Sequence, residues 1–168
     1  MMPIINQLRI LLLAAWLGAA IFFSATVAPS AFGTLRAFDV TNAGEIAGFI
    51  VNRTLSVVNT AGFVVGLLSL ILAFPLRRTY GPRAFVIQLM LLGLMTLTTG
   101  IGHWVIAAKM RALRVAMDAP IDSVPLSDPN RVAFATLHGY SVAALSIAII
   151  AGLITYFIMS NRVEPGRN

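Results

Sequence analysis

Residues 8–27 read LRILLLAAWLGAAIFFSATV, a run with a single charged side chain, Arg9, near its start. A helix rises about 1.5 Å per residue, so this run is long enough to cross a hydrocarbon core about 30 Å thick. A stretch so poor in charge near an N-terminus also invites comparison with a cleaved signal peptide. Its full-span length favours a retained helix instead.

Working outward, three further apolar runs are present. The second extends from about Ala47 to Phe74 and is closed by Pro75 and a basic turn containing Arg77, Arg78, Gly81, Pro82 and Arg83. Such a turn folds the second and third runs into an antiparallel hairpin. The third covers Ala84 to Ala108, with its helical pattern continuing through Lys109, Arg111 and Arg114. Residues 118–130 are polar and proline-rich, hence loop. The fourth run starts at Asp128-Pro129, where the carboxylate can cap and proline fills the first helical position at no cost in hydrogen bonds.

The expected fold is an all-α integral membrane bundle of four transmembrane helices, at about 8–28, 44–74, 84–115 and 129–159, forming one membrane domain over 1–168. Pro29 should end or kink the first helix, leaving a short interfacial segment at 30–40.

Composition agrees. The chain has 168 residues, 58% hydrophobic and only 11% charged, against about a quarter charged in a soluble domain. The net charge of +6 does not mark a nucleic-acid binder, because the basic residues sit at the ends of apolar runs, where they anchor and orient membrane helices. There is no cysteine, which excludes disulfides, thiolate metal sites and cysteine nucleophiles together.

With the N-terminus inside, Arg9, Arg77, Arg78, Arg83, Arg162 and Arg167 face the cytoplasm, and Arg36, Arg53, Lys109, Arg111, Arg114 and Arg131 face the other side. The short second loop, whose arginines are undiluted by acid, breaks the tie and puts both termini in the cytoplasm, in a bacterial inner membrane. Asp39, Glu45, Asp118, Asp122 and Asp128 then gather on the outer side, with Glu164 inside.

Polar groups at membrane depth are costly, so each is a functional candidate. On the second helix Glu45, Gly48, Asn52, Ser56, Asn59 and Gly66 recur on one face, with Arg53 beside them and within reach of Glu45. One reading of this stripe is interhelical glue; the other is a path for substrate or protons. The two histidines, His103 and His138, fall on small or polar faces at matched depth, about 7 and 9 Å inside the ends of their helices. They are candidate ligands for haem b or, with Glu45 or Asp39, for a divalent metal, and candidate proton relays; the plainer alternative is that each ties helices together. No nucleotide-binding glycine loop, nucleophile elbow or paired-carboxylate site is present, so the sequence gives no catalytic residue.

Three short stretches carry a resemblance: Ala28-Pro29-Ser30-Ala31-Phe32, Ala43-Gly44-Glu45-Ile46-Ala47-Gly48, and Phe134 with Leu137-His138-Gly139-Tyr140-Ser141. They resemble the four-helix membrane proteins grouped with transmembrane protein 205, over nearly the whole chain. In that group an asparagine often follows the histidine by seven positions, where this sequence has Leu145. The resemblance implies a small bundle similar to copper-resistance and haem-binding membrane proteins, with His103 and His138 serving a metal or haem. The expected function is a structural or accessory subunit of a larger membrane complex, or a homo-oligomer, in contact with the lipid bilayer and not with nucleic acid. The alternatives are a haem- or metal-binding redox or tolerance protein and a small transporter.

Overall fold

The computed structural model describes residues 2–161, with side chains from residue 4 onward; Arg162, Glu164 and Arg167 lie outside the described residues. α1 (Met2–Phe22) runs through a π-helical stretch, Phe23–Val27, into α2 (Ala28–Ala37). After a short connection come α3 (Ala43–Ile71), a single 3₁₀ turn (Phe74–Leu76) and α4 (Pro82–Gly100). A second π stretch, Ile101–Ile106, joins α4 to α5 (Ala107–Ala116), and a loop leads to α6 (Pro129–Ser160). Among the described residues, four helical spans are thus long and apolar enough to cross a membrane: Ile4–Ala37, Ala43–Ile71, Pro82–Ala116 and Pro129–Ser160.

Pro29 does not end the first span. Its ring removes one N–H and crowds the carbonyl four residues earlier, which in a regular helix forces a kink. Here the preceding turn widens: the amide of Ala28 donates to Phe23, five residues back, and the helix continues to Ala37. The break expected at Pro29 is therefore absorbed within the helix.

The spans pack in a ring, first on second, second on third, third on fourth and fourth on first. Lipid tails are as apolar as leucine, so close packing and internal hydrogen bonds, not escape from solvent, must hold such helices together. Small residues provide the packing. A Cβ added at Gly62 would lie 2.7 Å from the indole nitrogen of Trp16, and one at Gly152 would lie 3.1 Å from the same ring. Trp16 is thereby lodged between α3 and α6, and its indole N–H donates to the Val58 carbonyl at 3.0 Å. Leu13, Leu17, Ala20, Met95, Leu145, Ala148 and Ala151 complete the core around it.

Only 22 to 33% of each span's most apolar window is buried inside the bundle, and Phe22, Met90, Leu97, Ile150 and Phe157 all point outward. An exterior so apolar needs lipid as its solvent. Hydroxyls in the spans conceal their polarity locally: Ser24, Thr54, Thr60, Thr96, Thr98, Thr99, Thr136 and Thr155 each donate to the carbonyl four residues earlier.

At the end of the bundle holding the α3–α4 turn, Arg9 is fully buried and donates to the Gln88 side chain at 2.8 Å. Beside it the Tyr80 hydroxyl donates to Asn6, whose amide reaches the Met159 carbonyl. Arg9 is therefore a tie between α1 and α4.

Candidate functional site

The opposite end carries a different arrangement. α1 packs on both α3 and α6, whereas α2 packs on α3 with α6 no longer a substantial neighbour, so the first span leaves the fourth beyond Pro29. Between α2, α3, α5 and α6 lies a cavity of about 400 Å³.

Its roof is the loop after α5. α3 begins at Ala43 without a side-chain cap of its own. Asp122 from the loop serves instead, one carboxylate oxygen accepting from the Glu45 amide at 2.9 Å. Glu45 reciprocates, accepting from the Ile121 amide at 3.1 Å. Gly44 is required at this junction, because any Cβ there would collide with the Asp122 carboxylate.

The other oxygen of Glu45 pairs with Arg114 at 2.7 Å, and both side chains are mostly buried, 15% and 18% exposed. The Arg114 guanidinium also lies 4.8 Å from the Phe49 ring centre and 5.2 Å from that of Phe134, positions that favour cation–π attraction. A Cβ at Gly48 would sit 2.8 Å from Nη2 of Arg114, so glycine there lets the guanidinium lie against the helix. Arg114 is fixed by charge, ring faces and shape together, and Glu45 takes Arg114 as its partner in place of Arg53.

Three more arginines line the cavity, Arg36, Arg111 and Arg131. Arg36 lies 5.9 Å from the Phe32 ring centre, and Arg131 donates to the Val124 carbonyl. Among the described residues the Arg114–Glu45 contact is the one salt bridge, so none of these three arginines is held by a carboxylate there. Asn52, His138 and Ser141 add polar groups to the wall, while Phe32, Phe49, Val51, Leu55, Met110 and Phe134 make the rest of it apolar.

The candidate residues read from sequence divide accordingly. Glu45 anchors the roof, and Asn52 and His138 line the cavity. Ser56 lies 3.3 Å from Nδ1 of His103, with the Thr60 hydroxyl 3.5 Å from the same atom, and His103 meets the edge of Trp104. His103 is therefore engaged between the second and third spans and does not line the cavity that His138 lines. Asn59 is buried against Gly102, and Arg53 is exposed. Among the described residues no three histidine or acidic side chains converge as a metal site. Sequence reasoning assigns Arg36, Arg111, Arg114 and Arg131 to membrane orientation alone and misses their convergence. One legible signal lies in Arg111 and Arg114, three apart and so on one helical face beyond the apolar run.

A second hollow, an open groove of about 430 Å³ between Phe63, Gly93, Leu97, Gly100 and Trp104, is apolar and lies on the α3–α4 face.

Fold and site together define a small integral membrane bundle with an arginine-lined cavity near one end. Residues 11–119 match the family described as Domain of unknown function (DUF4149), and the chain belongs to that family. The match begins within α1, runs through the third span and ends before α6. No curated protein and no solved structure matches the chain.

Proposed function

We propose that this protein is a non-enzymatic membrane binding protein whose cavity seats an anion. The observation that carries the proposal is the convergence of Arg36, Arg111 and Arg131, none of them paired with a carboxylate among the described residues, on the cavity that already holds Arg114. Arg36 and Arg111 are exposed and Arg131 half-buried, so an anion entering the cavity can accept charge-assisted hydrogen bonds from their guanidinium forks. A bis-histidine haem would need both imidazoles on one iron, whereas only His138 borders the cavity. Such a bundle can act alone or as an accessory subunit. The kinship with the transmembrane protein 205 group belongs to the same proposal, since its motif Leu137-His138-Gly139-Tyr140-Ser141 sets His138 and Ser141 on the cavity wall.

Thermal unfolding of the detergent-purified protein tests this. A ligand binding only the folded state stabilises it by about 2.7 kcal/mol at a hundred times its Kd. Inorganic phosphate should raise the Tm above that in sodium chloride of equal ionic strength. The rise should vanish in Arg36→Gln/Arg111→Gln and persist in Arg53→Gln. Equal stabilisation by phosphate and chloride would overturn the proposal.

A further inference from the structure

Resting on the anion-binding reading, we infer that the anion is the head of a membrane lipid bearing a phosphate monoester, with its hydrocarbon lying along the apolar wall of the cavity. Three observations lead there.

The first is the layout along the bundle axis. Three of the arginines lie near helix ends, Arg36 beside the end of α2, Arg114 beside the end of α5 and Arg131 beside the start of α6. Apolar side chains extend to depth: Val51 and Leu55 lie eight and twelve residues into α3, about 12 and 18 Å from its start at 1.5 Å per residue, at the level where Asn52, His138 and Ser141 also border the cavity. A free anion needs only the charged end. An amphiphile uses both, its head at the arginines and its chain beside Phe32, Val51 and Leu55.

The second is access from α6. Ala135 and His138 line the cavity and are both exposed. The α6 face continues from them through Gly139, where an added Cβ would meet nothing within 4 Å, to exposed Val142. This flank belongs to a span long and apolar enough to cross a membrane. A cavity bordered by such a flank suits a ligand with a hydrocarbon chain, which a free anion lacks.

The third is charge and size. Four arginines and Asp122 line the cavity and Arg114 is paired with Glu45, leaving +2 (four minus two). A phosphate monoester carries about −1.5 to −2 near neutrality and three acceptor oxygens, whereas a diester head carries one charge and a zwitterionic head adds a cation that the arginines repel. The volume of about 400 Å³ is at the small end of ligand sites, which run from about 300 to 1,000 Å³. That suits a compact head better than one bearing a further alcohol.

The test uses the full chain in nanodiscs of phosphatidylcholine doped with equal fractions of phosphatidic acid, phosphatidylglycerol or oleic acid. Bound lipid is counted by native mass spectrometry, and a parallel thermal-unfolding series adds inorganic phosphate to undoped discs. Phosphatidic acid should be retained about tenfold over phosphatidylglycerol, the ratio for about one charge-assisted hydrogen bond. Retention should fall about tenfold or more in Arg36→Gln/Arg111→Gln, while Arg53→Gln matches the unaltered protein. If phosphatidylglycerol or oleic acid is retained equally, the monoester assignment fails. If inorganic phosphate stabilises the protein and phosphatidic acid adds nothing, the lipid assignment fails and the anion site stands. If no anion binds in an arginine-dependent way, both fall.

Discussion

At the residue scale, glycines place the charged and aromatic groups that matter. Gly62 accommodates Trp16 and Gly48 accommodates Arg114, each because a Cβ would come within 3 Å of the partner side chain. Gly62→Leu should therefore overpack the centre of the bundle and cost about 1–3 kcal/mol, read as a lower Tm by circular dichroism in detergent. Glu45→Ala removes an ion pair and a loop hydrogen bond in one step. Leaving a largely buried Arg114 without its carboxylate should cost about 3 kcal/mol, and the loss should show as faster proteolysis of the 117–128 loop. The polarity of Glu45 and Asn52 is legible in the sequence, because a charged or amide side chain stands out in an apolar run. Their partners are not: Glu45 lies 69 positions from Arg114, and no local pattern reports a contact at that separation.

At the element scale, the two π-helical stretches set how the far ends of the first and third spans face the bundle. Phe23–Val27 precedes Pro29 and α2, and Ile101–Ile106 contains His103 and precedes α5. Each widened turn holds one residue more than an α-helical turn, so it rotates the downstream helix by about 100° relative to a regular one. Pro29→Ala restores the missing N–H and should let that turn close, carrying Phe32 and Arg36 away from the cavity. The expected outcome is a loss of about tenfold or more in anion affinity with unchanged helical circular dichroism. The ends of elements split in the same way. Asp128 caps α6 through its own neighbours, accepting from the amides of Asn130 and Arg131 at 2.8 and 3.1 Å, and Asp128-Pro129 announces that start in the sequence. The start of α3 is capped across space by Asp122, which nothing near Ala43 announces.

At the scale of the whole molecule, the two ends have opposite designs. One closes over Arg9, Gln88, Tyr80 and Asn6, while the other opens into the arginine-lined cavity. The positive-inside rule gives the expectation that the turn bearing Arg77, Arg78 and Arg83 faces the cytoplasm, which would put the cavity at the outer leaflet. Because the chain has no cysteine, single substitutions report this directly. Thr79→Cys should react with an impermeant maleimide only after cells are permeabilised, and Ser127→Cys in intact cells. The reverse pattern would put the cavity at the inner leaflet.

That the chain is a membrane bundle of four helical spans can be read from its residues alone. Span length and apolarity are properties of single segments, and the bilayer reads them one segment at a time. It takes the folded molecule to establish that Pro29 lies within a span, that His103 and His138 serve different surroundings, and that arginines from three separate helices meet at one cavity. Those outcomes depend on how helices rotate and lean against one another. That is set by packing of small residues and a few long-range hydrogen bonds, for which hydropathy carries no signal.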